Sequence, residues 1–169
     1  MEYMYICQMD DKSKLFLNRN DNRFYTLYQN YPKNNVYVKA MFLGIILTAL
    51  VEGISSIYKN IPVLYVMLGT IFGILFDFCI KKNQKKAMVL TDFQIEKHEI
   101  DKGKSDLENQ LGILLIIILL IALLYWLVLD KPYLTYRDTC GLCCGGFLLG
   151  YIGSSMDAIN RWKFYRKYE

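Results

Sequence analysis

The apolar positions of this chain gather into four long runs, and the polar positions fill the segments before, between and after them. The plainest run is Leu111 to Leu129, which holds no charge and no proline. It is long enough to cross a hydrocarbon core of roughly 30 Å at about 1.5 Å per helical residue. In such a medium only a helix satisfies its own backbone groups, so this run predicts a membrane span. Val38 to Ile57, Pro62 to Ile80 and Thr139 to Met156 are the other three runs. Together they predict a membrane protein of the all-α class, a four-transmembrane-helix bundle. The link Tyr58 to Ile61 is short enough to force the first two spans into an antiparallel pair, and Pro62 suits a first helical turn.

The polar segments carry a second period. Lys14 to Leu17 and Arg23 to Tyr28 flank Asn18, Arg19, Asn20, Asp21 and Asn22. Asn and Asp tolerate left-handed backbone and bond their own chain, so this spacing predicts a β-hairpin, preceded by an apolar-leaning stretch from Tyr3 to Met9. After Ile80 come Lys81, Lys82, Lys85 and Lys86, then Met88 to Ile100, in which Phe93 and Ile95 alternate with polar neighbours. A turn at Thr91 and Asp92 makes this a second short hairpin, followed by a polar segment from Asp101 to Gln110. Since an isolated hairpin is marginal in water, the two are expected to pair into one small cytoplasmic sheet. Five segments result: a cytoplasmic β-hairpin at 1–37, a transmembrane hairpin at 38–80, a cytoplasmic basic and β segment at 81–110, a second transmembrane hairpin at 111–157 and a basic tail at 158–169.

Composition agrees with this segregation. Of 169 residues 54% are hydrophobic, and the net charge is only +4. Segment 1–37 has five Lys and Arg, 81–110 has seven and the tail four, against one in 58–61 and two in 130–138. The positive-inside asymmetry puts both termini in the cytoplasm, and an even number of spans agrees by placing them on the same side. Basic residues clustered beside apolar runs orient the protein and touch anionic lipid; nucleic acid is not expected as a partner. Glu2, Asp10, Asp11, Lys12 and Lys14 precede any long apolar run, so the first span is expected to act as a retained insertion signal in the cell membrane. The wealth of Asn, Lys, Ile and Tyr points to an AT-rich bacterial source.

The fourth run holds small residues at Gly141, Gly145, Gly146, Gly150 and Ser154, four apart within each pair. A flat face of this kind lets another backbone approach where lipid is as apolar as leucine, so this helix is the expected packing centre. Gly69 and Gly73 offer the second run one matching stripe, whereas the Leu and Ile of the third run should face lipid. Cys140 and Cys143 have C-x-x-C spacing in the fourth run, and with four helices this resembles membrane thiol oxidoreductases of the vitamin K epoxide reductase type. That resemblance implies a quinone-linked redox pair. The outer loops, however, hold no cysteine to relay electrons, and cysteine is a small residue suited to helix contacts, so packing is the preferred reading. A soft-metal site at Cys143 and Cys144 lacks further ligands. Glu52 and Asp77 are the intramembrane acids, with Arg137 and Lys81 as candidate partners and structural roles expected. His98 is expected on the surface. No catalytic, cofactor-binding or metal-binding residue is expected.

With its N-terminal hairpin ending in the aromatic stretch Arg23 to Tyr28, two spans, a basic segment and further spans, the chain resembles the tandem five-transmembrane proteins of Gram-positive bacteria. That resemblance implies an immunity protein, a binder that neutralises a membrane-acting toxin of a secretion system. A membrane subunit of a conjugation or secretion complex and a thiol oxidoreductase are the alternatives. Lipid, a toxin or secretion-system protein and a second copy of the chain are the partners left open.

Overall fold

The computed structural model describes residues 3–28, 46, 61–91, 95–129, 131 and 134–167. Apart from Ile46, the expected span from Val38 to Ile57, with Glu52 in it, lies outside the described residues. The strands are β1 (Tyr3–Gln8), β2 (Lys14–Asn18), β3 (Arg23–Leu27) and β4 (Val89–Thr91). The helices are α1 (Pro62–Lys85), α2 (Lys97–Leu129), α3 (Tyr136–Met156) and α4 (Ala158–Lys167). The chain is mostly helical, and among the described residues three helical stretches are long and apolar enough to cross a membrane: α1, α2, and Tyr136–Lys167, in which α3 leads into α4. Two compact units form, one from Met1–Lys33, Ile80–Leu111 and Met156–Glu169, the other from Asn34–Cys79 and Gly112–Ser155.

The first unit is built on an antiparallel sheet in the order β1-β2-β3-β4. Its turns follow from local polar chemistry. Between β1 and β2, the Met9 amide donates to the Ser13 carbonyl at 2.9 Å, and Lys12 takes φ 65°. Asp11 fixes this turn by accepting from the Ser13 amide at 2.9 Å and its hydroxyl at 2.6 Å. Between β2 and β3, the Asn18 side chain accepts from the Asn20 amide at 3.0 Å and Asp21 from the Arg23 amide at 3.0 Å. Asn22 then supplies the left-handed residue at φ 55°.

Strand β4 joins β3 with Thr91 opposite Phe24 and Val89 opposite Thr26, so the two polar segments share one small sheet. Of the expected second hairpin, Asp92, Phe93 and Gln94 lie outside the described residues, and from Lys97 to Ile100 the chain is helix and not strand. Helix α2 starts at Lys97, where the Glu99 carboxylate accepts from the Glu96 amide at 3.0 Å and closes the helix N-terminus. From there the helix runs through the polar segment Asp101 to Gln110 without a break to Leu129, because Lys, Glu, Gln and Leu are good helix formers and Ile100, Gly103 and Leu107 give a buried stripe. The stretch from Tyr3 is likewise a full strand, which turns the expected hairpin into a three-stranded meander before β4 is added.

In the second unit, the buried positions of α1 recur every fourth residue: Tyr65, Gly69, Gly73 and Asp77. Tyr65 packs with Val128, Leu142 and Cys143 in a core contributed by α1, α2 and α3. The α3 N-terminus is closed by a reciprocal cap, Asp138 accepting from the Thr135 amide at 3.1 Å while the Thr135 hydroxyl accepts from the Asp138 amide at 3.3 Å.

Candidate functional site

The densest polar arrangement lies in the first unit and is organised by an irregularity in β1. Tyr5 pairs with Phe16 and Cys7 with Leu15, which leaves Ile6 as an extra residue in a bulge. Ile6 and Cys7 are consequently both buried. The Ile6 carbonyl accepts from the Tyr165 hydroxyl at 2.6 Å and from an Arg161 Nη at 3.4 Å. Arg161 is completely buried, which a cation tolerates only when its donors are satisfied. Its guanidinium donates to the Gly103 carbonyl at 3.1 Å, to Gln110 Oε1 at 2.8 Å and to the Tyr165 hydroxyl oxygen at 3.3 Å, and lies 4.9 Å from the centroid of the Tyr5 ring. Tyr5 in turn donates to Asp106 at 3.2 Å, which brings a carboxylate close to the buried cation.

Gly103 is required by this approach. A Cβ there would lie 2.6 Å from the Tyr165 hydroxyl and 2.8 Å from the Ile6 carbonyl oxygen. Helix α4 reaches the cluster because the chain turns sharply at Asp157, which holds φ 45°. Its carbonyl accepts from the Arg161 amide at 3.1 Å, and its carboxylate forms an ion pair with Arg19. Arg161 therefore corrects the reading of the tail: it is an interior residue, not one of the surface cations that orient the protein. The sequence signal was available in the i, i+4 spacing of Arg161 and Tyr165 on one face of a short amphipathic segment.

Electrostatically the cluster resists ionisation chemistry. Burial, then the Asp106 charge, pushes the Tyr5 phenol well above the usual tyrosine range. Burial, then Glu99, pushes the Cys7 thiol up to about 11. Both groups are thus held neutral near pH 7, the opposite of what an activated nucleophile needs. At the margin, half-buried Lys102 donates to exposed Asp10 at 2.9 Å and holds that carboxyl below its ordinary range. His98 is exposed.

In the second unit, the small residues singled out in the sequence are divided between two faces of α3. A Cβ at Gly146 or Gly150 would collide with the carbonyl of Val66 or Thr70 on α1, and one at Gly69 or Gly73 with that of Cys143 or Phe147 on α3. Backbones therefore touch where glycines four apart oppose each other, and Phe76 packs 5.6 Å from both Phe147 and Tyr151 beside them. Gly145 faces α2 instead, its Cβ position 2.8 Å from Ile121, and Gly141 lies more loosely 4.0 Å from Leu124. The Ser154 hydroxyl donates to the Tyr151 carbonyl of its own helix at 3.2 Å. Asp77 is buried on α1, in the same stripe as Gly69 and Gly73.

Cys140 is half-buried, Cys143 buried and Cys144 exposed, and all are free thiols; Cys143 belongs to the packed core with Tyr65 and Leu142. Among the described residues no group of three His, Cys, Asp or Glu is placed to hold a metal ion. No protein-family model, curated protein or solved structure matches this chain.

Proposed function

We propose that the protein is a non-enzymatic integral protein of a bacterial cell membrane that acts by binding, as an immunity protein against a membrane-acting toxin of a secretion system. The observation that carries the membrane part is α2, whose uncharged stretch turns large apolar side chains outward around most of its circumference, with Leu115 60%, Leu119 61% and Trp126 69% exposed. An exposed apolar surface of that extent is stable against lipid and not against water. The binding part is supported by the use of polar groups in the first unit: Arg161, Tyr165, Gln110 and Tyr5 are consumed in holding α4 and α2 to β1. In this reading both termini and residues 81–110 are cytoplasmic. The test is protection. A susceptible bacterium expressing the chain is challenged with each membrane-acting secretion-system toxin that the source genome encodes, and survival against one of them is expected; killing by all of them at normal abundance of the chain overturns the immunity reading.

A further inference from the structure

We propose that the outward face of α4 binds the anionic headgroup surface of a lipid bilayer, with Ile159 and Trp162 at the boundary between headgroups and acyl chains. The inference rests on the membrane reading but not on the immunity role.

Helix α4 has two faces. Arg161 and Tyr165 turn inward to the β1 bulge. On the opposite side Ile159, Trp162, Lys163 and Arg166 follow the i, i+3, i+4, i+7 spacing of a single face, with Lys167 beside it, and all five are exposed. Ile159 is 71% and Trp162 57% exposed, so this face leaves two large apolar side chains uncovered. The Arg166 guanidinium lies 5.5 Å from the centre of the Trp162 indole, which joins the cation and the aromatic into one surface. No acidic residue occurs in α4, so its outward cations meet no counter-charge from their own helix.

Two properties select lipid as the occupant. Charge complementarity calls for an anionic partner, and the mixture of indole, aliphatic side chain and flexible cations matches the headgroup boundary, where aromatic rings anchor and basic side chains reach phosphate. Continuity supplies the second: only Asp157 separates α4 from α3, so a bilayer crossed by α3 is within reach of α4 at all times. The short helix needs no large intrinsic affinity, because its tether holds it near the surface.

The test uses the full chain with Trp126→Phe, which leaves Trp162 as the single tryptophan. It is reconstituted at one copy per nanodisc, in phosphatidylcholine alone or mixed with phosphatidylglycerol, and the same signal is read as a difference between wild type and Trp162→Phe. With phosphatidylglycerol, Trp162 emission should shift to the blue, its quenching by acrylamide should fall several-fold, and lipids brominated near the carbonyl region should quench it. Lys163→Gln, Arg166→Gln and Lys167→Gln should each reduce the partition of this face to the anionic surface by about fivefold. Trp162 equally open to acrylamide in both lipid mixtures would overturn the proposal. So would shielding from acrylamide without quenching by brominated lipid, which would assign the face to a protein. A chain that stays soluble without lipid or detergent would instead overturn the membrane reading.

Discussion

The Tyr165 hydroxyl donates to the Ile6 carbonyl at 2.6 Å, joining residues 159 positions apart. The carbonyl is available because the β1 bulge takes Ile6 out of the ladder with β2, and Arg161 donates to the same atom from the next turn of α4. A strand defect, a glycine on α2 and a buried cation on α4 therefore form one structural device.

Removing one donor from that device should weaken the first unit in proportion to what is left unsatisfied. Tyr165→Phe should cost about 1 to 3 kcal/mol. Arg161→Ala should cost about 3 to 5 kcal/mol, because Gln110 and the Gly103 carbonyl lose their donor inside the unit. Arg161→Lys should recover only part of that loss, since an ammonium cannot reproduce the fork of the guanidinium. Hydrogen exchange of the β1 amides in detergent provides the measurement. Unchanged protection in Arg161→Ala would show that the device does not hold the unit.

On α3, two glycines make a controlled comparison. A methyl group at Gly146 would meet the Val66 carbonyl, whereas one at Gly153 meets nothing within 4 Å. Gly146→Ala should destabilise by about 1 to 3 kcal/mol through forced separation of the helices. Gly153→Ala should stabilise by up to about 1 kcal/mol through helix propensity. Thermal unfolding in detergent separates the two, and equal tolerance would remove the close-packing account.

The features legible in the sequence are those written in local chemistry. Asn18 to Asn22 mark the β2–β3 turn because Asn and Asp bond their own backbone, and the opposed glycines mark the α1–α3 contact because only small residues allow it. The parts that were not legible depend on distant partners. The bulge at Ile6 exists to meet Tyr165 and Arg161, so nothing within β1 announces it. Residues 97–110 carry too many charges to display an apolar period, yet Ile100, Gly103 and Leu107 bury one stripe. The alternation of Phe93 and Ile95 predicts a strand; Phe93 lies outside the described residues, and the Glu99 side chain at the Glu96 amide starts a helix just beyond Ile95.

Cys7 gives the first unit a pH dependence. Burial raises its thiol from an ordinary 9.0 to about 11. The folded chain therefore holds its proton where the unfolded chain has lost it, so the contribution is intact below pH 9 and is lost as pH climbs towards 11. Stability of this unit, followed by the near-ultraviolet signal of its tyrosines, should decline over that range, and Cys7→Ala should flatten the decline. A stability that rises through the same interval would contradict the burial effect.

Topology can be read with single cysteines placed in a chain whose natural cysteines are replaced. His98→Cys and Arg137→Cys both put the thiol at exposed positions. A membrane-impermeant maleimide applied to intact cells should label Cys at 137 and leave the one at 98 untouched until the membrane is opened. Labelling of position 98 from outside would reverse the orientation.

Under the proposed function the protein works by binding and not by chemistry, and the thiols of α3 are where the two part. Replacing Cys140, Cys143 and Cys144 together with Ala keeps small side chains at the helix contacts, whereas a redox enzyme cannot lose its attacking sulfur. The measurement is survival under toxin challenge of cells expressing this triple variant. Protection equal to wild type at equal abundance is expected; loss of protection at normal abundance, together with a mixed disulfide trapped through Cys140 or Cys143 in the unaltered chain, would show that the protein acts by thiol chemistry.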